Sequence, residues 1–391
     1  MPKVHPIVES FARLKVVGVG GSGKNALNHM INSKVKGVEF ICMNTDTQDL
    51  HHSLAEKKIH IGRNLTKGLG SGMNPDVGKQ SANETKAEIQ EALKGADMVF
   101  IACGMGGGTG TGAAPIVAAI AKEQDILTIA VVTKPFSFEG QQRMKIAEQG
   151  IEELKKEVDA IIVISNDRLL DITDRETSFK DAFATADEVL RQAVESISEL
   201  ITTPGTINID FADIRTILTN AGTAFMGIGM ASGETRAQDA AHKAINSPLL
   251  DMAISGAKGV LFSISGADDL KMHEVQDAAK IITESIDPQA RVIFGTIHDE
   301  ALAKGTIKVT VIATGFTGVS ENRRSLFANT ARSTQSVAPA TTRIERAEPE
   351  IQASSTPVVN TLDSTELKHI EEISDEDDWS AVPAFLRRGK K

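Results

Sequence analysis

The chain has 391 residues, of which 41% are apolar but only 4% aromatic, with no Tyr and one Trp, Trp379. The core is therefore aliphatic, and a base-stacking surface for single-stranded nucleic acid is disfavoured. A formal net charge of −10 weighs against coating nucleic acid or an anionic membrane directly.

No run approaches 18 apolar residues and the N-terminus lacks a signal-peptide core, so neither a transmembrane helix nor direct membrane insertion is expected. Cys42 and Cys103 lie in apolar runs and are expected to be buried free thiols of a reducing cytosol, with no zinc site.

In chain order, residues 13–20 read as a buried strand ending in glycines, 25–33 as a helix and 37–43 as a second strand, followed by Asn44-Thr45-Asp46. A short strand at 57–61, a helix at 76–94 and a strand at 96–102 lead to a Gly-rich loop at 104–112. A helix at 113–123, a strand at 126–132, a long helix at 139–157 and a strand at 159–165 come next. This alternation predicts an α/β fold with a parallel sheet covered on both faces.

A helix at 178–201 places apolar residues at Phe179, Phe183, Ala186, Val189, Leu190, Ala193, Val194 and Ile197, at three- and four-residue steps. Its length suits a strut between two domains. Strands at 219–230, 257–265, 291–297 and 306–314, with helices at 234–246 and 270–285, predict a second, smaller α/β domain. Residues 328–366 are rich in Ser, Thr, Ala, Pro and Glu and bury too little apolar surface to fold. The acidic run Glu371–Asp378 precedes an apolar and basic segment at 379–391, which reads as a short recognition peptide.

Two glycine loops carry the chemistry. The first, Gly18 to Asn25, fits both G-x-G-x-x-G and G-x-x-x-x-G-K. The dinucleotide reading wants an acid at the end of the second strand, where Asn44 stands; Glu39 lies at its start. The phosphate-loop reading wants Ser or Thr after Lys24, where Asn25 stands. Alone, this loop says that phosphate can sit on N–H groups at a helix start. The second loop, Gly104 to Gly112, holds six glycines in nine residues with Thr109 and Thr111 between them. Glycine lets successive N–H groups converge on a polyanion, and the loop opens a helix whose N-terminus faces the phosphates.

The string GGGTGTG at 106–112 resembles the signature loop of the tubulin and FtsZ superfamily of GTPases. The segments NTD at 44–46, TKGLGSGMNPDVG at 66–78, AVVTKPFSFEG at 130–140 and AVPAFLRR at 381–388 resemble bacterial cell-division members of that superfamily. The likeness spans roughly residues 12–318 and the last dozen. It implies a Rossmann-like, tubulin-type GTP-binding domain at 12–178, a central connecting helix at 179–203 and a GTPase-activating domain at 204–318. A disordered linker at 319–378 and an adaptor-binding tail at 379–391 complete the implied organisation.

The resemblance further implies GTP and GDP as ligands, with Mg²⁺ bound mainly through the nucleotide phosphates and no dedicated metal ligands. The first loop would contact nucleotide through Gly21, Ser22, Gly23, Lys24 and Asn25, although the family commonly has glycine at the positions of Ser22 and Lys24. The phosphates would fall to Gly107, Gly108, Thr109, Gly110 and Thr111, and ribose and phosphate contacts to Glu139 and Arg143. Guanine would fall to Asn166 and Asp187, because a carboxylate accepts both N1–H and the 2-amino group, with Phe183 stacking on the base.

Asn208, Asp210 and Asp213 match the family's N-x-D-x-x-D loop, which enters the next subunit's site and polarises the attacking water. The implied activity is that of a polymerising cytoskeletal GTPase forming the cytokinetic ring in the cytoplasm, beneath the inner membrane. Its partners would be copies of itself and membrane-tethered, FtsA-like adaptors held by the tail through Phe385, Leu386, Arg387, Arg388, Lys390 and Lys391.

Overall fold

The computed structural model describes residues 12–170, 177–203, 205–247, 254, 256–299 and 302–316. The segments expected to form the linker and the tail lie outside the described residues.

The first half alternates strand and helix: β1 (Leu14–Val19), α1 (Gly20–Asn32), β2 (Val38–Asn44), α2 (Thr47–His51), β3 (Lys57–His60), α3 (Arg63–Thr66), α4 (Pro75–Glu84) and α5 (Lys86–Leu93). Next come β4 (Met98–Gly104), α6 (Thr109–Lys122), β5 (Leu127–Lys134), a 3₁₀ turn (Ser137–Glu139), α7 (Gln141–Glu157), β6 (Ala160–Ser165) and α8 (Asn166–Leu170). The long α9 (Phe179–Thr202) leads to α10 (Phe211–Leu218), β7 (Gly222–Ser232), α11 (Arg236–Ile245), β8 (Gly259–Gly266), α12 (Met272–Glu284), β9 (Arg291–His298) and β10 (Thr306–Thr314).

The strands lie in the order β3-β2-β1-β4-β5-β6-β7-β10-β8-β9. All neighbours from β3 to β7 are parallel, whereas β10 runs antiparallel to both β7 and β8. Strands β1, β4 and β5 are buried almost throughout, because helices cover both faces. Period-two alternation sorts their side chains. Val16, Phe100 and Ile129 pack with α1 and α9 on one face, and Val17, Ile101 and Ala130 pack with α4 to α7 on the other. The expected second set of strands continues the first sheet: Gly222–Ala224 of β7 pair with β6, and the rest of β7 pairs with β10. Along α9, Ala186, Val189, Leu190, Ala193, Val194 and Ile197 are buried and join a core that also holds Leu261, Ile297 and Ile312.

Three helices differ from expectation. Helix α1 begins at Gly20 rather than 25, and α6 at Thr109 rather than 113, because the loop glycines and threonines themselves take up the first helical turns. The helix expected at 76–94 breaks at Thr85, whose hydroxyl donates to Ser81 O and accepts from Gly62 N–H, so that two shorter helices form. The short α2, α3 and α8 show no periodicity to read. Cys42 and Cys103 are buried and unbridged, and burial pushes the Cys103 thiol up to about 12.

Buried Arg236, at the start of α11, is clamped by Glu274 of α12 at 2.7 and 2.9 Å and by Asp269 at 2.6 Å. Removing one partner of such a pair strands the other charge. Arg236→Met is expected to lower stability by about 3 kcal/mol, and adding Glu274→Leu to restore most of it, measured by urea unfolding.

Candidate functional site

In the strand order, the connection direction reverses between β1 and β4, which opens a crevice at their carboxyl ends. Helices α1 and α6 start there, side by side. Neither has a side-chain cap, and neither carries an acid in its first turn. Their unsatisfied N–H groups and dipoles therefore present one concentrated positive end to the crevice. The two loops touch: at Gly20 (φ +75°), a Cβ would lie 3.1 Å from the Gly110 nitrogen. At Gly107, by contrast, a Cβ would meet nothing within 4 Å, so the space above it is open.

Thr109 sits where three segments meet. Its hydroxyl is 2.6 Å from that of Thr45, at the end of β2, and 3.0 Å from that of Ser71. Asn44 organises the β2–α2 turn: its Oδ1 accepts from Thr45 N, and its Nδ2 donates to Asp49 at 2.7 Å. Lys24 closes the group with an ion pair to Asp49. Glu39 is not part of this site; it pairs with Lys15 at the amino end of β2. Within the first loop, Gly23 is buried against β4 while Gly21, Ser22 and Asn25 are exposed; Ser22 lies over Gly104.

The opposite wall comes from β5 and α7. Arg143 packs its chain over Gly106 and pairs with Glu139 at 3.0 Å. Glu139 also accepts from Phe136 N at 2.9 Å. Among the described residues, the Arg143 Nε and the Asn166 Oδ1, just after β6, are buried without a hydrogen-bond partner. Unmatched buried polar atoms of this kind mark a place where a ligand can supply the missing bond. Phe183 of α9 meets Phe136 edge to face at 5.0 Å. One turn on, burial raises the Asp187 carboxyl to about 6, opposed by the charges of His29 and Lys24 on α1.

The acids of the N-x-D-x-x-D motif are not brought to this crevice. Asp210 and Asp213 are exposed at the start of α10, and Asn208 Oδ1 accepts from Gly205 N at 2.6 Å. Helix α10 faces the other edge of the sheet: Arg215 donates to the carbonyl of Asp125, just before β5. A strand the length of β5, roughly 26 Å, separates the two edges. Sequence reasoning missed Thr45, Ser71, Asn44, Asp49 and His29. The NTD triplet after β2 was a visible signal for the first, but the contacts of Asp49 and His29 span distant segments.

Comparison with known proteins agrees with this geometry. The family profile for the Tubulin/FtsZ family GTPase domain matches residues 13–174, and that for the FtsZ family C-terminal domain matches residues 222–317. An empty FtsZ dimer from M. jannaschii is 44% identical, covering 80% of this chain and 90% of that one, with a TM-score of 0.76. A point mutant of the M. jannaschii FtsZ is 45% identical, covering 78% and 92%, with a TM-score of 0.75. A GTPγS-bound CetZ2 protofilament from Haloferax volcanii, 21% identical over 82% and 97%, shares the fold with a TM-score of 0.67.

The family match and the fold are those of a GTP-hydrolysing enzyme of the tubulin type. Within that class, the chain belongs to the FtsZ family.

Asp187 yields a pH dependence. If Asp187 reads guanine, as the resemblance implies, an ionised carboxylate is needed to accept both donors, and protonation below about 6 removes one acceptor. GDP affinity is expected to be flat above pH 7 and to fall by about tenfold per unit below pH 6. Titration of a fluorescent GDP analogue checks this, and Asp187→Asn should weaken binding and flatten the profile.

Proposed function

We propose that this chain is a polymerising cytoskeletal GTPase that forms the cytokinetic ring at the division site and hydrolyses GTP at a head-to-tail subunit contact. The observation that carries the reading is the placement of an anion-binding crevice and an exposed acid pair at opposite edges of one sheet. A subunit cannot bring its own acids to its own nucleotide. A second copy stacked edge to edge can. Such a contact is heterologous and repeats into an open filament. The M. jannaschii relative is itself a dimer.

In this reading the first loop, residues 21–25, and Gly107 to Thr111 hold the phosphates, and Glu139 and Arg143 hold ribose and phosphate. Asn166 and Asp187 read guanine beside Phe183. Asp210 and Asp213 orient the attacking water in the neighbour's site, with Asn208 holding the loop. The crevice offers N–H groups, hydroxyls and amides, and among the described residues no group of three or more His, Cys, Asp or Glu is placed to hold a metal. Mg²⁺ bound mainly through the nucleotide phosphates would offset their charge.

GTP hydrolysis per subunit is expected to appear only above a threshold protein concentration, together with light scattering. Asp213→Ala should bind GTP yet lose at least about a hundredfold in turnover. Mixing it with a nucleotide-blind Gly107→Asp chain, whose acids are intact, should restore part of the activity. Activity independent of concentration, or no rescue in the mixture, would return the acids to a role within one subunit.

The tail at 379–391 docks membrane-tethered adaptors in this reading, with Phe385 and Leu386 as apolar anchors beside basic residues. Deleting residues 379–391 should leave sedimentable polymer unchanged and abolish recruitment to the division site, seen with a fluorescent fusion. Loss of polymer would refute that division of labour.

A further inference from the structure

Lys24 is the only lysine or arginine in α1, and it stands in the second turn after the crevice. It does not face solvent: its side chain is 11% exposed and its Nζ pairs with Asp49 Oδ1. The other oxygen of Asp49 accepts from Asn44 Nδ2 at 2.7 Å. That same oxygen abuts the first turn of α1, where a Cβ on Gly21 would lie 3.4 Å from it. A carboxylate thus rests against the helix end that the proposed function assigns to a polyphosphate. Left alone, it would repel each phosphate charge and work against the helix dipole.

We infer that Lys24 is a positioning residue for the nucleotide, acting through Asp49 rather than by touching the phosphates. Its charge cancels that of Asp49. The inference rests on the crevice being the nucleotide site.

A double-mutant cycle in the full chain, at concentrations below assembly, tests it. The probes are fluorescent GDP and a slowly hydrolysed GTP analogue, at low and high salt. Lys24→Met is expected to weaken both on the order of tenfold at low salt, GTP more than GDP, with the loss shrinking at high salt. Asp49→Asn alone should stay within about twofold of the parent, and adding Lys24→Met to it should cost no more than about twofold, where a direct phosphate contact would still cost about tenfold. Lys24→Arg should stay close to the parent.

Rescue by Asp49→Asn is a result that a direct phosphate contact would not give. If the double variant stays as weak as Lys24→Met, or if Lys24→Met is neutral, the inference is overturned. Should Lys24→Met not fold, Asp49→Asn decides alone, and weaker binding overturns the proposal. Gly107→Asp, which adds a carboxylate in open space, separates the two levels. Unchanged GDP binding there would mean that the crevice is not the nucleotide site. Abolished binding with a failed rescue would remove only the role given to Lys24.

Discussion

The rest of the site depends on two helix N-termini lying side by side at the carboxyl ends of β1 and β4. Each contributes roughly half a positive charge and several N–H groups without partners. Parallel pairing of β1 with β4 fixes their spacing, and glycines at the contact let the backbones approach. No acid follows in either first turn, and no side chain caps either helix. A soluble protein normally caps such ends. An anion seated between these two ends would take the place of the caps.

The same sheet that builds the crevice keeps the acid pair away from it. Parallel strands put every carboxyl end on one edge, and the chain must return to the opposite edge between strands. Helix α10 lies at that return edge, so Asp210 and Asp213 are separated from the crevice by the length of the strands. Helix α9 runs between the two. Near the crevice its Glu188 meets His29 of α1 at 2.8 Å and Arg191 bridges Glu188 to Glu195. Farther along, Lys308 of β10 lies between Glu199 and Asp299. Burial raises the Glu199 carboxyl and Lys308 opposes the rise. One helix thus carries charged contacts to α1 beside the crevice at one end and to the second set of strands at the other.

Much of this was legible in the sequence. Strand positions follow from short apolar runs, and the six glycines of the 104–112 loop mark the sharp turn from β4 into α6. What was not legible has a common cause. The helix starts at Gly20 and Thr109 lie inside segments whose residues favour loops, and tertiary packing rather than propensity makes them helical. The break at Thr85 depends on a hydrogen bond from Gly62 N–H, 23 residues away. The pair of Lys24 with Asp49 joins residues 25 apart, on two elements that meet only once β1 and β2 are aligned. Periodicity reports which face of an element is buried; it is silent on which charged side chains will meet.

Several local irregularities gather around the crevice. The open helix ends, the unpartnered Arg143 Nε and Asn166 Oδ1, and the raised Asp187 all lie around one crevice. Each is a cost to the empty fold. For Asp187 the sign is explicit. Its folded value of about 6 lies above the ordinary carboxylate value, so its favourable contribution is full below pH 3.8 and is lost as pH rises through about 6. At neutral pH the protein therefore holds a partly buried charge that does not favour the fold. In the proposed reading, a guanine nucleotide would offset these costs by giving the N–H groups an anion and the carboxylate two donors. Its binding adds stability of about 2.7 kcal/mol at a hundredfold excess over Kd. On that reading the nucleotide would stabilise the subunit as well as serve as its substrate.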